Sequence, residues 1–352
     1  MQRWLSLLPL LLTFFVTVFQ SWTVLAEDFN SGPVFRIGVR SLEELAQDDF
    51  DVLKARKTDG HYGNYVAPNE WQPALMLPLL VSAPTGSLVS VGTQRCLMTA
   101  AKIKRILKAH CYDMSHGVLM FNLLNAKLIA SAKDRRDFLF LALKASSAVW
   151  KKRLSNATLG DERIQDLFDF WNYHFRVNPL NRFFTESPTR FKFGEMNYLY
   201  DDALFVRLQK MIRAGDITFD WLDVKNTAAI QALVKSMKAN GETLSIIDFS
   251  NIPEWITFTP IATALNEFVS ISRPETVVLQ TIEEDVRWTY FAFDLTNENQ
   301  QKLKTYPAGA DAMAYFLMRS STPNFEGRDY EAFKVELKKL EKDWSLYLGS
   351  EN

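Results

Sequence analysis

The sequence predicts an α/β protein that is doubly wound around a mostly parallel sheet and carries a helical insertion. Between residues 86 and 300, short apolar runs of strand length alternate with longer segments whose apolar residues recur at helical spacing. Such alternation is typical of a parallel sheet whose strands are joined by helices. Several apolar runs end in glycine, aspartate or asparagine. Because ligands bind at the carboxyl ends of strands in such sheets, these ends mark the expected site.

Six strands are predicted, separated by helices. The strands are expected at residues 87–91, 109–113, 216–224, 244–250, 275–281 and 288–295. The helices between them are expected at 93–109, 115–132, 203–215, 226–241 and 260–272. Helical segments flank this α/β unit: one at 27–85, with helices at 41–55 and 69–81, and one at 301–352, with an amphipathic helix at 329–348.

The strand signals stop between about residues 134 and 200. That span is instead rich in aromatic and charged side chains, as in DLFDFWNYHFRVNPLNRFF. We expect it to form a mostly helical insertion that covers one edge of the sheet.

The first 26 residues have the three parts of a secretory signal peptide. Arg3 is followed by a mostly apolar run at 4–19 and by small residues that suit cleavage after Ala26. We therefore expect a mature chain that begins at Glu27, is secreted or periplasmic, and has no stable membrane anchor. The alternative is an uncleaved anchor, although the apolar run is shorter than the ~20 residues that span a bilayer.

The composition excludes several classes of protein. Hydrophobic residues make up 47% and aromatic residues 13% of the 352-residue chain, which indicates a globular fold with a substantial core. Removal of the signal peptide takes away one arginine and no acidic residue, so the formal net charge changes from −1 to −2. A nearly neutral protein lacks the basic excess that nucleic-acid binding requires, so no nucleic-acid partner is expected.

Neither a metal site nor a hydrolase motif is predicted. No zinc-type spacing is found among the four histidines, His61, His110, His116 and His174. The chain also lacks the GxSxG and P-loop motifs. Its only two cysteines, Cys96 and Cys111, exclude a disulfide-dense scaffold. They could pair in an oxidising compartment, but we expect two free thiols.

Ordered blocks of the sequence resemble a family of uncharacterised bacterial secreted proteins with a class I SAM-methyltransferase-like fold. The blocks are NE at 69–70, VGTQRCLMTAA, YDMSHGVLMFNLLNAKLIASAKDRRDF, GDITFDWLDV and IIDFSNIPEW, within residues 62–256. VGTQR and DFSNIPEW are the most specific of these. The resemblance implies a Rossmann-like sheet, a pocket at Gly92, Asp113 and Asp248, and S-adenosylmethionine (SAM) as the cofactor.

The candidate cofactor-binding residues are Gly92, Thr93, Arg95, Asp113 and Asp223. Gly92 either lets a cofactor approach the backbone or only makes a tight turn. Arg95 pairs either with an anionic ligand or with Glu70. Asp113 accepts hydrogen bonds from ribose hydroxyls, caps the helix that begins near residue 115, or does both. Asp223 either contacts an adenine amino group or is a solvated strand end.

The candidate catalytic residues, Asp248, Asn251 and Trp255, lie in DFSNIPEW. Amino-group methyltransferases have a similar element, in which an asparagine and a backbone carbonyl hold the amino group and an aromatic ring stacks on the substrate. Asn251, Pro253 and Trp255 match it in kind, but Ile252 is inserted between the asparagine and the proline. The alternative is an Asx-type turn with a buried tryptophan plug.

Two functions remain open. The first is a SAM-dependent methyltransferase that acts on an unknown small molecule or protein. The second is a secreted, non-catalytic protein that binds a ligand or another protein on a degenerate Rossmann-like fold. The polar strand ends favour the first. The second is favoured by the single glycine after the first strand, where methyltransferases carry a glycine-rich loop, and by export away from cytosolic SAM.

Overall fold

The structure is a computed structural model that describes residues 73–92, 94–154, 160–177, 196–284, 287–308, 310, 315, 316, 318–321, 335 and 339. The predictions for the signal peptide, for the helix at 41–55 and for most of the helix at 329–348 lie outside these residues. Residues 37–352 form one compact unit, to which every described residue belongs.

The fold is α/β with one seven-stranded, mostly parallel sheet, which confirms the predicted fold class at this level. The strands are β1 (Gly86–Val91), β2 (Ile106–Asp113), β3 (Ile217–Trp221), β4 (Leu244–Asp248), β5 (Val277–Glu284), β6 (Arg287–Asp294) and β7 (Arg319–Ser321). They lie in the order β3-β2-β1-β4-β5-β6-β7. The pairs from β3 to β5 are parallel, whereas β5–β6 and β6–β7 are antiparallel, so the sheet is mixed.

Helices connect the parallel strands. The α-helices of the described chain are α1 (Leu77–Leu80), α2 (Gln94–Lys102), α3 (His116–Ser131), α4 (Arg135–Leu143), α5 (Ser147–Leu154), α6 (Asp161–Trp171), α7 (Asp202–Ala214), α8 (Thr227–Ala239), α9 (Ile252–Trp255), α10 (Phe258–Phe268) and α11 (Asn297–Lys304). A π-helix spans Asn172–Val177, and 3-10 helices span Pro73–Met76 and Val269–Ile271. None of these described helices is long and apolar enough to cross a membrane.

The strand order reverses between β1 and β4. From β1 the chain adds β2 and β3 on one side, then returns to the other side of β1 with β4 and continues to β5. Because these five strands are parallel, their carboxyl ends lie at one edge of the sheet. The residues that follow β1, β2 and β4 therefore gather at that edge.

β1 and β4 are buried along their whole length, as expected for central strands covered by helices on both faces. Successive side chains point to opposite faces. Leu88, Cys111 and Ile246 belong to a hydrophobic core cluster, on one face. Val89 and its register partners His110 and Ile247 lie on the other.

The described part of the span 134–200 contains helices α4, α5 and α6 and the π-helix. Several of its aromatic residues are core residues. Trp150 and Trp171 are fully buried, and each indole N–H donates to a carbonyl of α4. Phe121 of α3 stacks on Trp171 with ring centroids 4.9 Å apart. Aromatic packing therefore joins these helices to the helix that follows β2.

The predicted helix at 93–109 is too long. α2 ends at Lys102 and β2 begins at Ile106. Leu107, which continues the helical spacing, is instead 59% exposed in the strand. Hydrogen bonding of β2 to both β1 and β3 overrides the local periodicity. The three-residue β7 escapes prediction because it is too short to show any periodicity.

Cys96 and Cys111 form a disulfide, so the expectation of two free thiols is wrong. Cys96 lies in α2 and Cys111 in β2, with their Cα atoms 5.7 Å apart and both side chains buried. The physical reason is the crossover geometry. α2 leaves β1 and packs back on the sheet, which brings it against the neighbouring strand β2.

Removing this disulfide should destabilise the protein. Its cysteines are 15 residues apart, and closing a loop of that size stabilises a folded protein by about 3 kcal/mol. We expect the Cys96→Ala/Cys111→Ala variant to lose about that much unfolding free energy in urea denaturation. Wild type measured in reductant should lose a similar amount, whereas reductant should not change the variant. Equal stability of variant and wild type would contradict this role.

Candidate functional site

The candidate site lies where the carboxyl ends of β1, β2 and β4 meet. Gly92 directly follows β1, Asp113 is the last residue of β2, and Asp248 is the last residue of β4. The Gly92 N–H donates to the Tyr112 carbonyl at 3.0 Å, and Ser90 is the register partner of Asp248. The sheet thus brings the three predicted residues to one edge, although they are far apart in sequence.

Gly92 makes the turn from β1 towards α2. Its φ of +84° is a left-handed conformation that glycine adopts without steric cost. A Cβ atom at this position would meet no heavy atom within 4 Å, so the space beside the turn is open. The Asn122 side chain of α3 donates to the Gly92 carbonyl at 3.1 Å and holds the turn. Thr93, the next predicted residue, lies outside the described residues.

Arg95 and Asp248 form a buried ion pair beneath this edge. The Arg95 Nε donates to Asp248 Oδ2 at 3.0 Å, and Nη2 donates to Oδ1 at 2.7 Å. Both side chains are only 2% exposed. Two parallel bonds of this kind match the planar guanidinium to the carboxylate. We expected a ligand anion or Glu70 as the partner of Arg95. The structure shows Asp248, and Glu70 lies outside the described residues.

The ion pair is completed by β5 and β6. The Arg95 Nη1 donates to Thr281 Oγ1 at 2.9 Å, and the Arg95 guanidinium lies 5.4 Å from the centroid of the Tyr290 ring. Asp248 Oδ1 also accepts the Ser250 N–H at 2.8 Å. A carboxylate that is buried and bonded on both oxygens has no open side for a substrate. The geometry therefore makes Asp248 a positioning residue for the turn that follows β4.

That turn holds Ser250 in an uncommon conformation. Ser250 has a φ of +52°, in the left-handed region that non-glycine residues rarely occupy. Its N–H is bound by Asp248, and its carbonyl accepts the Thr281 N–H at 2.8 Å. The Asx-type turn named as an alternative for this stretch is therefore present.

Asn251 is the N-cap residue of α9, and Trp255 is the last residue of this helix. The Asn251 Nδ2 donates to Glu254 Oε2 at 3.1 Å, one turn further on. Trp255 is 68% exposed, so the alternative of a buried tryptophan plug is wrong. The physical reason is that α9 is a single helical turn in which no residue is buried. Trp255 therefore presents its ring to solvent beyond the carboxyl end of β4.

Asp113 is a partly buried carboxyl at the end of β2. Its Oδ1 accepts the Ser115 N–H at 2.8 Å. Burial raises the pKa of this carboxyl to about 6, although backbone N–H groups of Ser115, Met114 and Gly92 favour the ionised form. The N-cap of α3 is Ser115, which accepts the Val118 N–H, so the alternative that Asp113 caps this helix is wrong.

The end of β3 lies beside the end of β2. The Leu222 N–H donates to the Asp113 carbonyl at 3.0 Å, and the Trp221 Nε1 donates to the Met114 carbonyl at 2.7 Å. Asp223 follows directly and accepts the backbone N–H of Lys225 at 2.9 Å in a local turn. The described residues contain no group of three or more His, Cys, Asp or Glu side chains that could hold a metal ion.

Sequence reasoning missed Tyr112. Its hydroxyl is buried and has no hydrogen-bond partner within the described chain. Burial, together with the charges of Asp248 and Asp113, raises the pKa of this phenol well above its usual value. A tyrosine directly before the terminal aspartate of a buried strand is the signal that could have found it. Ser90, Thr281 and Tyr290 carried no such signal, since their roles depend on which strands are neighbours.

Replacing one residue of the buried ion pair should lower the unfolding free energy more than replacing both residues. Arg95→Met leaves the Asp248 carboxylate buried without its counter-charge, and such changes cost about 3–5 kcal/mol of unfolding free energy. In Arg95→Met/Asp248→Asn no charge is stranded, so we expect the double variant to be more stable than Arg95→Met. Urea denaturation measures both, with Arg105→Met, at an exposed arginine, as the control. A double variant that is no more stable than Arg95→Met would contradict the pairing.

The comparison with known families covers the whole candidate site. The model of a domain of unknown function, DUF7790, matches residues 65–325, which include all seven strands. No curated protein matches the chain. Because the matched span is well over half of the sequence, this chain belongs to the DUF7790 family.

Proposed function

We propose that the protein binds an adenosine-containing ligand of the SAM type on a Rossmann-like sheet, at the carboxyl ends of β1 and β2. The observation that carries this proposal is the position of Asp113. It is a partly buried carboxyl at the end of β2. It lies beside the Gly92 turn, which follows β1, and the strand order reverses between β1 and β4. In doubly wound sheets an acid at this position accepts hydrogen bonds from ribose hydroxyls.

The topology supports the Rossmann-like assignment. The five parallel strands follow the order β3-β2-β1-β4-β5, which is also the order in doubly wound dinucleotide-binding sheets. The antiparallel strands β6 and β7 extend one edge of that arrangement. The reversal between β1 and β4 is the point at which such sheets bind their ligands.

Four further residues complete the proposed binding site. Gly92 lets the ligand approach the backbone, since the space beside its turn is open. Thr93 belongs to the site because it lies between Gly92 and the start of α2, where backbone N–H groups favour an anionic group. Arg95 fixes that start through its ion pair. Asp223, at the end of β3, accepts a hydrogen bond from the adenine amino group.

The proposed reaction is transfer of the SAM methyl group to a small molecule or a protein. A nucleophile of the second substrate bonds to the methyl carbon while the carbon–sulfur bond breaks, so the sulfonium becomes a thioether and the proton of the nucleophile goes to solvent. Asn251 would hold the reacting group, and the exposed Trp255 ring would stack on the substrate. Asp248 would act indirectly, by holding the turn that carries both residues.

A second candidate is a non-catalytic binding protein that uses the same edge of the sheet. The buried Arg95–Asp248 pair favours it, because the carboxylate predicted to act on a substrate is enclosed. The single glycine after β1 favours it as well. The disulfide supports export in either case, since disulfides persist in oxidising compartments. We therefore propose a secreted or periplasmic protein whose partner is a small molecule or another protein.

Asp113→Asn should weaken nucleoside binding without unfolding the protein. Loss of the carboxylate that accepts the ribose hydroxyls should cost roughly 1–3 kcal/mol, or about 5- to 150-fold in Kd. Calorimetry with SAM and its demethylated product measures this on the purified mature chain. Asp216→Asn, at the other end of β3, is the matched control and should bind like wild type, as should Trp255→Ala. If wild type shows no response to either nucleoside at millimolar concentration, the nucleoside site is refuted.

Nucleoside affinity should rise as the pH passes through about 6. Burial raises the pKa of Asp113 to about 6, so this carboxyl gains its charge there and not near pH 4. The ionised carboxylate accepts hydrogen bonds on both oxygens, whereas the protonated form carries a donor on one of them. Calorimetry across this range should show tighter binding at the higher pH for wild type and a flat profile for Asp113→Asn. A flat wild-type profile would argue against ribose recognition by Asp113.

A further inference from the structure

The end of the helical insertion carries a buried tyrosine whose hydroxyl reaches the first residue of α2. The Tyr198 hydroxyl donates to Gln94 Oε1 at 2.6 Å and accepts the Asn125 Nδ2–H at 3.0 Å. Gln94 lies between Thr93 and Arg95 in the sequence, two residues of the proposed binding site. One side chain of the insertion is therefore bonded directly to the start of α2.

A hydrogen bond from α3 holds the Gly92 turn beside this contact. Asn122 and Asn125 are three positions apart in α3, so their side chains are neighbours on the helix. The Asn122 Nδ2 donates to the Gly92 carbonyl at 3.1 Å. Four residues, each only 1% exposed, form what we call the polar bracket: Gln94, Asn122, Asn125 and Tyr198. The polar bracket therefore anchors both the Gly92 turn and the first residue of α2.

Contacts with α4 and α7 fix the position of Tyr198. The Arg135 Nη1 of α4 donates to the Leu199 carbonyl at 2.7 Å, and its Nε donates to Asp202 Oδ1 at 2.7 Å. The Phe138 ring of α4 packs near the Tyr198 ring, with centroids 6.5 Å apart. The insertion therefore sets where the Tyr198 hydroxyl lies.

Packing alone does not explain the polar bracket. Tyr198 belongs to the hydrophobic core cluster, where a phenylalanine would fill nearly the same space. Burying an amide in such surroundings costs free energy unless its hydrogen bonds are made. The Oδ1 atoms of Asn122 and Asn125 are buried and have no hydrogen-bond partner within the described chain. A buried network that leaves acceptors unpaired lowers stability, and proteins keep such networks where function requires them.

We propose that Tyr198 is a positioning residue for the ligand, and that the helical insertion uses it to set ligand affinity at the carboxyl edge of the sheet. The Tyr198 side chain is enclosed, so it does not touch the ligand. It acts through Gln94. The Asn125 N–H occupies the hydroxyl oxygen, so the hydroxyl hydrogen is directed to Gln94. The effect on affinity rests on the proposed function, whereas the holding of the Gly92 turn does not.

Loss of the Tyr198 hydroxyl should loosen the Gly92 turn. In Tyr198→Phe the buried Oε1 of Gln94 loses its donor, which favours conformations in which the Gln94 side chain reaches solvent. Gln94 begins α2 two residues after Gly92, so this movement displaces the turn. A ligand must then order the turn when it binds, and that ordering lowers its affinity.

Amide hydrogen exchange in the ligand-free protein tests whether Tyr198 holds the turn. The Gly92 N–H donates to the Tyr112 carbonyl, so its exchange rate reports opening of the turn. We expect this amide to exchange roughly 2- to 10-fold faster in Tyr198→Phe, relative to the amide of Ile230 in α8, which reports global unfolding. Trp150→Phe is the matched control and should leave this ratio unchanged, because it removes a buried hydrogen bond that stays within the insertion.

Calorimetry with SAM and its demethylated product tests the effect on affinity. At a temperature where all variants are folded, we expect Tyr198→Phe to raise Kd roughly 5- to 50-fold and Trp150→Phe to bind like wild type. Gln94→Leu should raise Kd to a similar extent. Adding Tyr198→Phe to Gln94→Leu should change Kd no further, because the hydroxyl acts through Gln94. A purely structural role would lower the unfolding free energy and leave Kd unchanged.

Equal Gly92 exchange in Tyr198→Phe and Trp150→Phe, each measured against Ile230, would overturn the proposal. So would an unchanged Kd in Tyr198→Phe, or losses that add in the double variant. If Tyr198→Phe does not fold, Gln94→Leu breaks the same hydrogen bond from the other side and takes its place in both measurements. If wild type binds neither nucleoside, the proposed function and the effect on affinity are both refuted, and hydrogen exchange alone decides whether Tyr198 holds the turn.

Discussion

The buried ion pair between Arg95 and Asp248 is the interaction on which the arrangement of this site depends. Enclosing two charges costs several kcal/mol for each, and the cost is offset only when every hydrogen bond is made. Here Thr281 and the Ser250 backbone supply the bonds that the pair itself leaves open. Arg95 thus joins the start of α2 to the end of β4 and, through Thr281, to β5. This connection fixes the relative positions of α2 and β4 at the carboxyl edge of the sheet, where the candidate site lies.

Two consecutive residues of α2 attach this helix to the strands on either side of β1. Arg95 binds the end of β4, and Cys96 is covalently joined to β2. β2 and β4 are the two neighbours of β1 in the sheet, so one helical turn fixes the strands on either side of the reversal. A site built on such a support is organised before any ligand arrives, which reduces the ordering that binding would otherwise require.

The sequence was sufficient to predict the α/β alternation and the edge at which Gly92, Asp113 and Asp248 meet, because both follow from local patterns. It could not identify the partner of Arg95 or the pairing of Cys96 with Cys111, since these depend on which strands are neighbours. The end of α2 was misjudged for a related reason: sheet hydrogen bonding overrode the helical spacing of the residues that begin β2. The contacts of the His110 ring with Glu242 and Thr218 are equally non-local, since these residues are more than 100 positions away in sequence.

Among the strands that the structure describes, the two at the edges of the sheet are short. β3 has five residues and β7 has three. An edge strand exposes unpaired backbone groups on which another chain can add a strand, and natural proteins limit this with short edges and charges that point inward. Asp220 is the last residue but one of β3, and its side chain accepts the Thr218 hydroxyl at 3.1 Å. A five-residue strand with an acidic side chain therefore opposes growth of the sheet from one molecule into the next.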